Sequence, residues 1–271
     1  MKSNRIIGSV TAAVFVAAGS AGCSATAVTQ KAGESAQNLV AALSRASDEA
    51  SKAGSADISM TLTTPDTGGK PMQMKGLYSW GNGLAMETEM PAKDLQMEDM
   101  VADGTITMRL VQGAYYYEVD PAPDGPFQGK TWLKVEASAV MGEKGAASMN
   151  GANADPTSGL KGLKYAKDVT KVATENVNGK STVHYRASVP ADRLGAASDM
   201  YKGLGMTGEV VTDVWVDDKG TPARMNQVIG TSTISVDFLS FGSQRSIDVP
   251  PAADTADVTE RFKQQAQGGS A

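Results

Sequence analysis

Four kinds of side chain in this 271-residue sequence could carry chemistry: one thiol, one imidazole, a pair of adjacent carboxylates and a crowd of thioethers. His184 is the only histidine, and it alternates with Thr182 and Arg186 as strand residues do. A Ser-His-Asp hydrolase would have to use it, yet no Gly-x-Ser-x-Gly elbow is present to offer the serine. A metal centre would need further nitrogen, sulfur or carboxylate ligands at coordinating spacing, and none accompanies it. His184 therefore reads as structural. Ser158-Gly-Leu-Lys161 has the Ser-x-x-Lys spacing of penicillin-interacting enzymes, without the companion Ser-Asp-Asn and Lys-Thr-Gly. Gly179-Lys-Ser181 resembles the end of a phosphate loop, but Thr174 stands where the loop's first glycine would fall. Asp217-Asp218-Lys219-Gly220 lies between two strand patterns and reads as a hairpin turn with its glycine at positive φ. Asp94, Glu98, Asp99 and Asp103 form an acidic run whose spacing fits no calcium loop, so it reads as a solvated face. These observations predict a non-enzymatic protein with no catalytic residues, no metal site and no cofactor.

The thioethers are the more telling group. Of 14 methionines, Met60, Met72, Met74, Met86, Met90, Met97, Met100 and Met108 crowd one half of the chain. Methionine is flexible and fills irregular apolar space, which suits a cavity for flexible acyl chains. It equally suits plain core padding in a chain with only 5 phenylalanines. Cu(I) ligation by soft sulfur is the third reading. Met72 and Met74 alternate on one strand face, which favours the two apolar readings. Tyr115-Tyr116-Tyr117, Trp132 and Trp215 are the aromatic concentrations. Alternation puts Tyr115 and Tyr117 on one face and Tyr116 on the other, either as packing or as a rim for a polar head.

The remaining reactive group is Cys23, the only cysteine. Lys2 and Arg5 form a positive head, residues 6–18 are apolar, and Ser20-Ala21-Gly22 place small residues before the cysteine. The apolar run is short for a membrane span. The segment resembles a bacterial lipoprotein signal, which ends in cysteine in place of an Ala-x-Ala site, although Ser20 stands where leucine is usual. The resemblance implies that Cys23 receives a thioether-linked diacylglycerol and becomes the mature N-terminus. An ordinary secreted protein with one stray thiol is the alternative. Net charge is −5 overall and −7 beyond residue 22, because Lys2 and Arg5 fall in the signal and no acidic residue does. Such a chain has no electrostatic reason to bind nucleic acid or an anionic lipid face, so the acyl anchor would supply membrane attachment. No other apolar run approaches transmembrane length, and no second cysteine is available for a disulfide.

The elements that position these groups are legible in the spacing. Residues 1–22 read as signal, 23–33 as lipidated cysteine and flexible tether, 34–253 as one domain and 254–271 as a polar tail expected to fray. Leu39, Val40, Leu43 and Ala46 recur at helical spacing over 34–53, and Gly54 stops that helix. Alternation then begins: Ile58, Met60 and Leu62 interleave with polar residues. Further strands are predicted over 72–80, 84–90, 105–111, 115–119 and 131–136, separated by Asn-Gly, Asp-Gly and Pro-rich turns. Residues 137–168 are rich in Gly, Ala and Met and read as helix or loop. Strands return over 169–177 and 181–189, a weak helix follows over 190–204, and 209–216, 223–229 and 231–239 close the domain. About eleven strands are more than a flat open sheet holds comfortably. The expected fold is α+β: a strongly curled antiparallel β half-barrel with helices on the concave side.

Three segments then carry a resemblance. Glu175-Asn-Val-Asn-Gly179 with His184-Tyr-Arg-Ala-Ser-Val189, Val214-Trp-Val-Asp-Asp-Lys-Gly220-Thr-Pro, and Phe241-Gly-Ser-Gln-Arg-Ser-Ile-Asp-Val-Pro250 resemble stretches of actinobacterial envelope lipoproteins of the LppX/LprG type. These belong to the LolA-like superfamily, and the resemblance spans roughly residues 34–250. It implies an antiparallel sheet curled around a hydrophobic cavity plugged by helices. It also implies binding or carriage of a lipid, glycolipid or other acylated molecule at the outer face of the cytoplasmic membrane. It carries over no catalytic residue.

Energetics support a deep cavity over a surface groove. A sixteen-carbon chain leaving a bilayer exposes about fifteen methylenes, roughly 12 kcal/mol at ~0.8 kcal/mol each. The candidate cavity lining is the more apolar strand face: Ile58, Met60, Leu62, Met72, Met74, Leu84, Met86, Met108, Leu110, Val214, Val216, Ile234, Val236 and Phe238. The alternatives are a closed binding or sensor module acting through an envelope protein partner, and a methionine-based Cu(I) carrier. A LolB-like outer-membrane receptor also fits the tether.

Overall fold

In the computed structural model, residues 36–65, 68–81, 83–148, 157, 166, 168–190 and 208–268 are described. The expected signal, Cys23 and tether lie outside them, as do the Ser-x-x-Lys segment and the weak helix beyond Pro190. Residues Glu34–Ala271 make up one compact unit.

Helix α1 (Ala36–Ala53) opens it, with Leu39, Leu43, Ala46 and Ala50 buried along one stripe. Lys52 sits in its last turn, where a cation suits the negative end of the helix dipole. Gly54, at φ 69, then turns the chain into strand β1. Strands follow as β1 (Ser55–Thr63), β2 (Met72–Ser79), β3 (Ala85–Pro91), β4 (Thr105–Val111), β5 (Ala114–Glu118) and β6 (Trp132–Glu136). Helix α2 (Ala137–Ser148) is kinked at Gly142. After it come β7 (Thr170–Val177), β8 (Lys180–Pro190), β9 (Glu209–Asp217), β10 (Pro222–Ile229) and β11 (Ser232–Phe241). Last are β12 (Thr255–Asp257) and helix α3 (Thr259–Gly268).

All twelve strands join one curled, open sheet in the order β12-β6-β5-β4-β3-β2-β1-β11-β10-β9-β8-β7. The curled antiparallel α+β architecture is the expected one. Two meanders, β2–β6 and β7–β11, flank β1, which closes the long-range pair with β11. Register turns the alternation of each strand into continuous rows. Tyr185, Val214, Met225, Val236, Met60 and Met74 stand side by side across six strands on the concave face. One residue along, His184, Trp215, Arg224, Asp237, Ser59, Lys75 and Glu89 make the matching polar row on the convex face. A register slip of one residue would exchange the two faces, so the pattern itself specifies the pairing.

Gly76 marks the tightest place in the sheet. A Cβ there would lie 1.9 Å from the Glu87 carbonyl oxygen and 2.8 Å from Thr88 Cα. Glycine inside a strand permits this close backbone approach where any side chain would force β2 and β3 apart.

The tail departs from expectation. Instead of fraying at Asp254, it adds a twelfth strand that runs parallel to β6, pairing Thr255 with Trp132 and Asp257 with Lys134. Residues 242–254 carry the chain there across the convex face. Ile247 packs there with Ala85 against Val111, Ala114, Tyr116 and Trp132. Asp257 accepts the Thr259 N–H at 3.0 Å and so caps α3, while the Thr259 hydroxyl accepts the Glu136 N–H. A three-residue strand is too short to show alternation, so it left no pattern to read.

Candidate ligand-binding face

The fourteen residues named as cavity lining all fall in two apolar clusters on the concave side. Ile58, Val214, Val216, Val236 and Phe238 are buried in the first, where Leu39, Leu43 and Ala46 of α1 pack directly on them. That half of the concavity is plugged. Met74, Met108 and Leu110 are buried in the second cluster, with Met90 and with Ala137 and Met141 of α2. Leu62, Met72 and Met86 join it half-buried, and Ile234 does the same in the first. Met60 and Leu84 belong to both clusters and tie the two halves together.

The second half is less completely buried. Met60, Leu62, Met72, Leu84, Met86, Tyr115 and Tyr117 all keep contact with solvent although their neighbours are apolar. Seven methionines (Met60, Met72, Met74, Met86, Met90, Met108 and Met141) meet in this one cluster. Register explains the convergence: Met60 lies opposite Met74 and Leu62 opposite Met72 on β2, while Met86 faces Leu110 and Thr88 faces Met108 across β3 and β4. Their flexible thioethers can repack around an irregular apolar guest.

Two methionines of this cluster are absent from the list drawn from sequence, and Met225 of β10 is absent from its first-cluster part. Met90 was recoverable, since it continues the alternation of Met86 and Thr88 on β3. Met141 was not, because only the tertiary packing of α2 brings it over the sheet. The tyrosines resolve as alternation required. Tyr115 and Tyr117 stack on the concave side with centroids 6.4 Å apart, and Tyr116 is buried on the convex side. Burial pushes the Tyr117 phenol up to about 12 and raises that of Tyr115, with Tyr117 adding to the latter. Both hydroxyls therefore stay neutral across the physiological range and add no charge to the apolar face.

Two clefts open elsewhere. One of about 680 Å³ lies at the sheet end near Gly54, Gly81 and Gly113, closed on one side by residues 243–247. It shares only Leu84 and Leu110 with the candidate lining. The other, about 540 Å³, lies between Phe127 and the first turn of α3.

The convex face carries a network of paired polar residues around His184. His184 is buried, its Nε2 2.7 Å from Asp213 and its Nδ1 3.2 Å from Glu175, with its ring stacked on Trp215 at 4.1 Å. Arg186 Nε and Nη2 donate to the two oxygens of Asp213 at 2.8 and 3.1 Å, and Arg224 pairs with Asp237. Trp215 Nε1 donates to Glu175, and this bond together with His184 draws the Glu175 carboxyl below its ordinary value. Every polar atom of His184 is thus engaged in holding strands together. Asp217 accepts from the Lys219 and Thr221 N–H groups around Gly220 at φ 81, which makes that carboxylate a turn cap. Among the described residues, no three His, Cys, Asp or Glu side chains are grouped to hold a metal ion.

Comparison with known proteins bears on the architecture. Lipoprotein LppX of Mycobacterium tuberculosis superposes with a TM-score of 0.53 at 15% identity, over 78% of this chain and 99% of that protein. LprF from Mycobacterium bovis gives a TM-score of 0.50 at 10% identity, over 80% and 98%. The chain shares the fold of LppX and LprF. The resemblance read from the sequence is borne out at this level. No protein-family model matches. Two Streptomyces proteins are related in sequence. A 31.2 kDa protein of Streptomyces griseus is 26% identical over 252 residues, 83% of this chain and 81% of that relative. A protein of Streptomyces coelicolor whose name marks it as a lipoprotein is 26% identical over 227 residues, 79% and 73%.

Proposed function

We propose that this chain is a lipid-anchored, non-enzymatic envelope lipoprotein that holds an acyl chain, or a molecule bearing one, against its methionine-rich concave face. The observation that carries this reading is the methionine-rich apolar surface of β1–β5, which is only partly buried. Burial of apolar area is the dominant stabilising force in a fold, so a domain that leaves methionine, leucine and tyrosine accessible inside a concavity gains by having them covered. An acyl chain supplies that cover, and roughly 12 kcal/mol favours its remaining out of water. The names of LppX and of the Streptomyces coelicolor relative, both lipoproteins, support an anchor at Cys23. The anchor would place the domain at the outer face of the cytoplasmic membrane, and tether 23–33 would let it meet donor and acceptor. The domain then acts as a passive carrier: it shields the chain in transit and no bond is made or broken.

Native mass spectrometry of the Cys23→Ala protein, purified from its host's membrane fraction, tests this. A co-purifying mass that extracts into organic solvent as an acylated lipid is the expected result. A clean unliganded mass, with no uptake of an added fluorescent fatty acid, would overturn it and leave a closed module that works through a protein partner.

A further inference from the structure

The floor of the methionine-rich half of the concavity contains one polar side chain that packing does not explain. Thr88 projects on the same face of β3 as Met86 and Met90. Across the sheet it stands between Gly76 of β2 and Met108 of β4. It is 0% exposed, and its Oγ1 has no hydrogen-bond partner among the described residues. A buried hydroxyl without a partner destabilises a fold, because it has given up water and gained nothing. Valine has nearly the same shape and would fill the position without that loss.

Among the described residues, two other buried side-chain polar atoms share the condition, and neither faces this surface. Ser188 lies on the convex face of β8. Trp80 Nε1 belongs to the plugged half, where its ring meets Tyr78 and Phe241 edge-on. Thr88 alone sits beneath the cluster that is only partly buried. The side chains around it are methionines, which can swing aside with three rotatable bonds each. A guest that displaces them would reach the hydroxyl.

We propose that the Thr88 hydroxyl is a specificity-determining donor in the concave face, poised for the carbonyl oxygen of an acyl ester or amide in the bound molecule. This inference rests on the lipid-binding reading above and names the chemical group recognised at that site. In the unliganded protein the donor is left unpaired; an ester carbonyl brought in with an acyl chain pairs it. A plain hydrocarbon chain would fill the same space and leave the hydroxyl unsatisfied. The face would therefore prefer acylated molecules over equally long hydrocarbons, since an unmet buried donor discriminates against a ligand that lacks its partner.

The test is a displacement assay on the Cys23→Ala protein loaded with a fluorescent fatty acid. Methyl palmitate and hexadecane compete separately, delivered from cyclodextrin. The parent protein is expected to prefer the ester by about tenfold, the value of one net hydrogen bond of about 1.4 kcal/mol. Thr88→Val should erase that preference while leaving hexadecane competition unchanged, and Thr88→Ser should retain it. The same Thr88→Val change should leave the melting temperature of the unliganded protein equal or raise it, because it removes an unpaired buried hydroxyl. An undiminished ester preference in Thr88→Val overturns the inference, and so does a lowered melting temperature, which would mean the hydroxyl has a structural partner. Failure of the parent protein to bind the fluorescent fatty acid at all would instead overturn the lipid-binding reading on which it rests.

Discussion

Replacing Gly76 with alanine tests whether the curl of the sheet depends on one missing side chain. The new Cβ would stand 1.9 Å from the Glu87 carbonyl oxygen and 2.8 Å from both the Glu87 carbonyl carbon and Thr88 Cα. All three are backbone atoms, so no rotamer change relieves the contact. Even the tightest tolerable approach of about 3 Å requires β2 and β3 to part by more than 1 Å at a point where neighbouring strands are about 4.8 Å apart. Overpacking of this kind costs about 1–3 kcal/mol, and loss of a ladder hydrogen bond or two adds about 1–2 kcal/mol. Alanine recovers less than about 1 kcal/mol through a stiffer unfolded chain. A net loss near 3 kcal/mol in a unit of this size lowers the melting temperature by roughly 6–12 °C. Gly104→Ala is the control. Its Cβ would meet nothing within 4 Å, and only its φ of 74 resists substitution, at about 1–2 kcal/mol. Thermal unfolding followed by near-ultraviolet circular dichroism compares them. If Gly76→Ala melts no lower than Gly104→Ala, the close approach of β2 to β3 is not what constrains position 76.

Leu62→Trp should block the methionine-rich half by adding bulk beside Met72 and Ile234, its partners across the two neighbouring strands. Fluorescent fatty-acid uptake should fall at least tenfold with the fold retained, and unchanged uptake would move the binding face elsewhere. Acid should loosen the convex network. The Glu175 carboxyl lies below its ordinary value, so its contribution is present above the ordinary carboxylate range and disappears as pH falls through the lowered value. The Trp215 indole N–H resonance, followed by NMR, should shift in that acid window, and Glu175→Gln should abolish the titration; an indole signal unmoved by acid would contradict the Trp215–Glu175 bond. In alkali the sign reverses. The Tyr117 phenol, held up to about 12, keeps its proton in the folded chain after unfolded tyrosine has lost it near 10, so this residue's favourable contribution begins to vanish above that lower value. Absorbance at the phenolate band should show part of the 7 tyrosines lagging in the native protein and all titrating together once unfolded.

Much of the fold was legible because strand patterning is local. The 105–111 strand expected from sequence is β4 (Thr105–Val111) residue for residue, since Asp103-Gly104 and Gln112-Gly113 fix both ends with turn chemistry. Helix α1 was readable for the same reason: Leu39, Leu43 and Ala46 recur at 3.6-residue spacing whether or not a sheet lies beneath them. The more apolar face of β1–β4, β9 and β11 could be chosen by counting, and the fourteen residues chosen share the concave side.

What the sequence by itself determined, then, was the alternation, the turns and the charge, all properties of residues close together along the chain. Tertiary structure alone decided which half of the concavity α1 fills, because that depends on where a helix docks and not on its own pattern. It also decided that β1 sits mid-sheet beside β11, and that Thr255 begins a paired strand rather than a free tail. It brought Glu175 and Asp213 to opposite nitrogens of His184 from two different strands. And it left the Thr88 hydroxyl beneath methionines with no partner among the described residues, for whether a threonine's oxygen is satisfied depends on residues that only the folded register sets beside it.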